Sequence, residues 1–109
     1  MELLTRLEEA ILIAVIRLES EAYGVAINRE LSRILGKDFT LGAFYFVLDQ
    51  LVRKHFLGRR AGESTPQRGG RSKTYYRITP EGKRALAAVR AHQAHLWKQI
   101  PGYENGEGR

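Results

Sequence analysis

Leu4, Leu7, Ile11, Ala14, Val15 and Leu18 recur at three- and four-residue spacing, with Arg6, Glu8, Glu9 and Arg17 elsewhere on the wheel. That periodicity predicts an amphipathic helix over roughly residues 3 to 19. Ser20 and Glu21 interrupt it. A second helix begins near Ala22 or Tyr23, carries the apolar residues Val25, Ile27, Leu31, Ile34 and Leu35, and stops at Gly36, which suits a left-handed C′ position. A third starts after Phe39 with Thr40 as N-cap and buries Phe44, Val47, Leu48, Leu51 and Val52, fraying around Lys54-His55. Phe46 is assigned to the core with Phe44.

The pattern then changes period. Phe56 to Arg60 and Thr74 to Ile78 read as short strands, the second rich in β-branched and aromatic residues. The intervening segment, from Ala61 to Lys73, is polar and rich in Gly and Pro, too long for a tight turn, and so predicted to protrude as a mobile loop. Thr79-Pro80-Glu81 opens a last helix with a capping hydroxyl, proline in the first turn and an acid near the positive helix end. That helix is predicted to end near Gln99 or Ile100, before Pro101-Gly102, with residues 101 to 109 a disordered tail. The order is ααα-ββ-α, mainly α with a β-hairpin (α+β). A helix-turn-helix followed by a hairpin is the winged-helix layout.

Composition and charge narrow the function. The chain has 109 residues, 43% of them hydrophobic and 28% charged, enough for one packed core and one further helix. It has no cysteine, which removes disulfides, thiol nucleophiles and Cys-ligated zinc, and fits a reducing cytoplasm. The N-terminal residues show no signal-peptide pattern, and the apolar run Ala10 to Ile16 is far shorter than the about 18 residues that span a bilayer, so a cytoplasmic protein without membrane contact is expected. Net charge is +6, and its placement is uneven: Arg53 to Arg84 holds ten Lys or Arg against Glu63 and Glu81, while the rest of the chain is slightly acidic. Positive charge gathered in one segment attracts polyanions, nucleic acid above all; a solvated, solubilising surface is the alternative. The phosphate-loop, HExxH and serine-nucleophile patterns are absent, so no enzyme is expected. No cofactor is implied. His92 and His95 lack a third ligand, which leaves no metal site.

Four segments resemble the PadR family of transcriptional regulators: Tyr23 to Ile27 (YGVAI), Leu41 to Leu51 (LGAFYFVLDQL), Arg68 to Tyr76 (RGGRSKTYY) and Ile78 to Leu86 (ITPEGKRAL). The resemblance spans about residues 4 to 97. It implies that the third helix is the recognition helix, the hairpin the wing, and the last helix the means of dimerisation. Two positions depart from the family pattern: Phe46 stands where proline is usual, and His55 where glycine usually turns the helix into the first wing strand. The compact C-terminal segment resembles members with a single dimerisation helix. Residues 1–79 then form the DNA-binding domain and residues 80–100 the dimerisation helix.

The side chains can be read on their own terms. Recognition helices present their first turns to the major groove. Here those turns offer Thr40, Leu41, Gly42 and Tyr45, which suit phosphate hydrogen bonds and contact with thymine methyls better than bidentate base reading. Tyr45 can equally be a half-buried core aromatic, and Gly42 can admit either DNA or a neighbouring helix. Lys54, Arg59, Arg60, Arg68, Arg71 and Lys73 are placed to meet phosphates or a narrow minor groove. Leu86, Val89, Gln93, Leu96, Trp97 and Ile100 line one face of the last helix and, with Leu3 and Leu4, are expected to pack against a second copy. Trp97 is either an anchor of that interface or one wall of a pocket for a planar apolar effector, as in some members of the resembled family. The expected protein is a dimeric repressor bound to a pseudo-palindromic stretch of double-stranded DNA, with release either by such an effector or by falling protein concentration. A winged-helix module that binds another protein is the competing reading.

Overall fold

The computed structural model describes residues 2–62 and 73–102. It has the expected order: α1 (Arg6–Leu18), α2 (Gly24–Leu35), α3 (Leu41–Arg53), β1 (Leu57–Ala61), β2 (Thr74–Ile78) and α4 (Pro80–Trp97), with a 3-10 turn at Glu19–Glu21. The wing-loop positions Arg68 and Arg71 and the tail 103–109 lie outside the described residues.

α1, α3 and α4 each start on a side chain that satisfies a free amide of the first turn. Thr5 and Glu8 form a reciprocal capping box on α1, Glu8 Oε1 accepting from the Thr5 amide at 2.8 Å and Thr5 Oγ1 from the Glu8 amide at 3.1 Å. Thr40 caps α3 through the Ala43 amide, and Thr79 caps α4 through the Gly82 amide with Pro80 at its start. α2 is the exception: its cap residue, Tyr23, makes no side-chain cap hydrogen bond. Gly36 ends α2 at φ 71°, as a left-handed C′ residue should.

The core lies where α1, α2 and α3 converge on the inner face of the hairpin. Ile11, Leu12, Ile27, Leu31, Phe44 and Leu48 are fully buried there, with Leu57 and Tyr76 closing it from the strands. The strands pair antiparallel with Leu57 opposite Ile78 and Arg60 opposite Tyr75. A short segment ahead of α2 extends the sheet: the Tyr76 amide donates to the Ala22 carbonyl at 2.8 Å, and Tyr23 bridges Tyr75.

The exit from α3 takes a strained route. The Phe56 amide bonds the Leu51 carbonyl at 2.9 Å and the His55 amide the Val52 carbonyl at 3.0 Å, the paired bonds of a Schellman ending. The C′ residue of that motif is His55, at φ 66°, a left-handed conformation that favours glycine. Phe56 is thus spent on closing the helix, and β1 begins one residue later than the sequence predicts. α4 packs its first half only: Gly82 and Val89 are buried, and a Cβ on Gly82 would collide with the Phe56 carbonyl oxygen. Beyond Val89, Leu96, Trp97 and Ile100 are exposed. The helix ends at Trp97, and tighter bonds from the Gln99 amide to Leu96 and from the Ile100 amide to Trp97 carry the chain to Pro101.

Candidate nucleic-acid interface

The start of α2, the middle of α3 and the loop end of β2 meet in one groove lined by Tyr23, Gly24, Val25, Tyr45, Lys73, Thr74 and Tyr76. Tyr45 is 37% exposed and reaches across to Gly24, where a Cβ would collide with its hydroxyl. Its ring also meets Phe44 edge-on, with centroids 4.9 Å apart. Tyr45 is therefore both a packing residue and part of the groove wall. Burial pushes the Tyr76 hydroxyl up from its ordinary value, with Asp49 adding to the shift and Arg59 opposing it.

Two tyrosines organise the cations near the loop end of the hairpin. Tyr23 and Tyr75 meet edge-on at 5.7 Å. Lys73 Nζ lies 3.8 Å from the Tyr23 centroid, and the Arg60 guanidinium 4.7 Å from that of Tyr75. Cation–π contacts of this kind hold a charge in place while leaving its donors open to solvent. Gly62 lets the strands close here, because a Cβ would strike the Tyr75 ring. Neither tyrosine is among the residues singled out from the sequence. Their signal there is only that Tyr23 opens the YGVAI segment and Tyr75 lies in RGGRSKTYY, between Lys73 and Arg77.

Arg59 stands on the other side of β1, 3.7 Å from Asp49 of α3, with both side chains more than half exposed. Lys54 stands apart from the other cations of the basic segment. Its Nζ lies 2.7 Å from Glu8 Oε2, tying the end of α3 to the start of α1. Glu8 is only 5% exposed. Burial alone would raise its carboxyl, but Lys54 and the Thr5 bonds outweigh that and hold it below the ordinary value of 4.5.

On α3, Thr40, Leu41 and Gly42 are all exposed, Leu41 at 62%. Among the described residues outside its own helix turn, nothing lies within 4 Å of a Cβ built on Gly42, so the glycine does not admit another of the described helices. Phe46 corrects the expectation of core packing: it is 65% exposed. At roughly 100° per residue it lies opposite the buried row Phe44, Leu48 and Leu51, on a stripe with Gly42, Asp49 and Arg53. That geometry is available from the helical spacing, since Phe46 falls outside the core period.

The residues expected at a dimer contact divide. Val89 is 3% exposed and covered by its own chain, while Leu4 and Leu86 are partly buried against the core. Leu3, Leu96, Trp97 and Ile100 are between 36% and 50% exposed, and Gln93 is intermediate. Leu86, Ala87, Arg90, Ala91 and Ala94 line a shallow depression on α4. Among the described residues, no three or more His, Asp or Glu side chains form a metal-binding group, and no helix is long and apolar enough to cross a membrane.

Residues 11–88 match the family model described as the transcriptional regulator PadR-like family. Solved structures with this fold include RosR of H. salinarum, 28% identical over 86% of this chain and 77% of that chain, with a TM-score of 0.64. A PadR-like transcription factor from Bacteroides fragilis is 26% identical, over 85% and 84% of the two chains, with a TM-score of 0.69. The PadR-like regulator of Bacillus cereus, at 21% identity, covers 93% of each chain with a TM-score of 0.69 and shows likeness of fold alone. No curated protein matches the chain.

Proposed function

The chain belongs to the PadR-like family of transcriptional regulators, a family of non-enzymatic DNA-binding proteins, and from that premise we propose that it is a dimeric repressor occupying a pseudo-palindromic operator. The observation that carries the reading is the groove: α2, α3 and the loop end of the hairpin converge there, Lys73 of its lining lies over Tyr23, and Arg60 lies over the adjoining Tyr75. In this reading the first turns of α3, with Thr40, Leu41, Gly42 and Tyr45, enter the major groove, while Arg59, Arg60 and Lys73 meet phosphates. The Thr40 hydroxyl accepts from Ala43 and keeps its own proton for a phosphate oxygen. Arg68 and Arg71 are proposed to extend the phosphate contacts along the wing. Lys54 is proposed to have a smaller part in DNA contact, because Glu8 competes for it.

Dimerisation is proposed through the end of α4. Leu96, Trp97 and Ile100 are between 42% and 50% exposed, and Leu3 supplies further apolar surface. Residues 1–79 with the first half of α4 then act as the DNA-binding unit, in the cytoplasm where DNA is accessible. Release by a planar apolar effector beside Trp97 is part of the same proposal, tested by titrating planar aromatic compounds against the fluorescence of the single tryptophan.

The deciding experiment is fluorescence anisotropy on the gene's own upstream DNA and on a scrambled duplex, across a salt titration, with sedimentation to give the oligomeric state. Sequence-selective binding by a dimer is expected, with affinity falling about 10³- to 10⁵-fold between about 50 and 200 mM salt for roughly 6–10 neutralised phosphates. The Arg71→Ala variant should flatten that slope. Absence of binding at low salt would replace the reading with a protein-interaction module, and a monomer at micromolar concentration would remove the dimer.

A further inference from the structure

We infer that Phe46 is a base-reading residue, its ring contacting the C5-methyl group of a pyrimidine in the major groove. The inference rests on the DNA-binding reading above and assigns a specificity-determining side chain within it. Phe46 is the most exposed large apolar side chain among the described residues, at 65%. It points away from the buried row Phe44, Leu48 and Leu51, along the middle of the outward stripe of α3. Side chains on a helix lean toward its N-terminus, so the ring covers the turn that contains Gly42 and Ala43. Gly42 leaves a notch there, with nothing from elsewhere among the described residues within 4 Å of where a Cβ would be.

The chemistry of the stripe restricts what it can read. Gly42, Ala43 and Phe46 carry no side-chain hydrogen-bonding group, and the Tyr45 hydroxyl is turned against Gly24. The first polar side chain beyond Thr40 on the outward face is Asp49, which is shared with Arg59. An apolar ring beside an empty notch discriminates one major-groove feature, the methyl group of thymine, which 5-methylcytosine also carries.

The test is selection from a randomised duplex pool by the full chain and by the Phe46→Ala and Phe46→Leu variants, each checked for unchanged helicity and melting. The selected duplex is then remade with thymine, uracil, cytosine or 5-methylcytosine at one position per half-site. The wild-type chain should select thymine at that position. Replacement by uracil should cost about fourfold per half-site, the value of one buried methyl group. The Phe46→Ala variant should lose the thymine preference and bind thymine and uracil duplexes alike, while Phe46→Leu keeps part of the discrimination. Recovery with 5-methylcytosine over cytosine would assign the effect to the methyl group itself, and no recovery would overturn that assignment. If wild type and Phe46→Ala select the same thymines with equal preference, the proposal falls while the DNA-binding reading stands. If the wild-type chain selects no sequence at all, the reading it rests on falls first.

Discussion

Replacing His55 by glycine should stabilise this protein, and the size of the gain follows from its backbone. His55 holds φ 66° at the C′ position of α3, with its side chain exposed to solvent. A residue with a Cβ in the left-handed region costs roughly 1–2 kcal/mol, which glycine avoids. Glycine also loosens the unfolded chain, which removes about 0.4–1 kcal/mol of the benefit. The net expectation is about 0.5–1 kcal/mol in favour of the variant, or about 3–6 °C in Tm for a domain of this size. The bonds that define the turn, Phe56 to Leu51 and His55 to Val52, are backbone bonds and survive the change. So does the bond from the Thr79 hydroxyl to the His55 carbonyl at 2.6 Å. Thermal denaturation followed by circular dichroism, at fixed protomer concentration, reads the effect. His55→Ala is the control, because alanine keeps the Cβ and should not stabilise. An unchanged or lowered Tm for His55→Gly, or an equal gain for His55→Ala, would refute the argument from backbone strain.

Three further predictions concern ionisation and the DNA surface. Because the folded-state pKa of Glu8 is depressed, its contribution is complete above the unfolded value and is lost as pH falls below 4.5 through the folded value; Glu8→Gln should make chemical-denaturation stability less dependent on pH in that acid range, and an unchanged dependence would remove Glu8 as a cause. Asp49→Asn removes an acid from the outward stripe and frees Arg59, so binding to scrambled DNA should tighten and the salt slope steepen by about one phosphate contact; an unaltered slope in anisotropy would show that Arg59 stays away from DNA. Tyr75→Leu removes the ring beneath Arg60 and the partner of Tyr23, each cation–π contact being worth about 0.5–1 kcal/mol at exposed sites; affinity should fall severalfold and equally on operator and scrambled duplexes, whereas a loss confined to the operator would place Tyr75 in base reading instead.

The fold is legible in the sequence because its punctuation is local. Thr40, Gly36 and the Thr79-Pro80 pair mark helix ends through bonds to residues a turn away, and each stands where its pattern predicts. The Thr5-x-x-Glu8 box is equally readable, and starts α1 at Arg6 rather than Leu3. What escapes depends on distant partners. Lys54 reads as one more cation in a basic segment until the fold brings it to Glu8, 46 positions away. The bridge from Ala22 and Tyr23 to β2 has no period of its own, since two extended residues between helices leave no pattern. Phe46 misleads for a different reason: aromatic character suggests the core, while its position on the wheel points outward.

The division between α3 and the hairpin has a consequence for how selectivity must arise. The outward stripe of α3 offers few hydrogen-bonding groups, while cations gather toward the loop end of the hairpin, so affinity would come chiefly from phosphates, which carry no direct sequence information. A regulator nevertheless needs operator binding about 10³- to 10⁷-fold tighter than non-specific binding. Methyl contacts worth about fourfold each cannot supply that ratio from one half-site. In the proposed dimer two protomers would multiply their half-site preferences, and a fixed spacing between recognition helices would reject half-sites at the wrong separation. DNA shape adds discrimination wherever the wing cations follow a narrow minor groove. On this reasoning the exposed end of α4, with Leu96, Trp97 and Ile100, bears on specificity as much as α3 does. On the proposed reading, so apolar a recognition helix would need a second copy of the chain to tell one sequence from another.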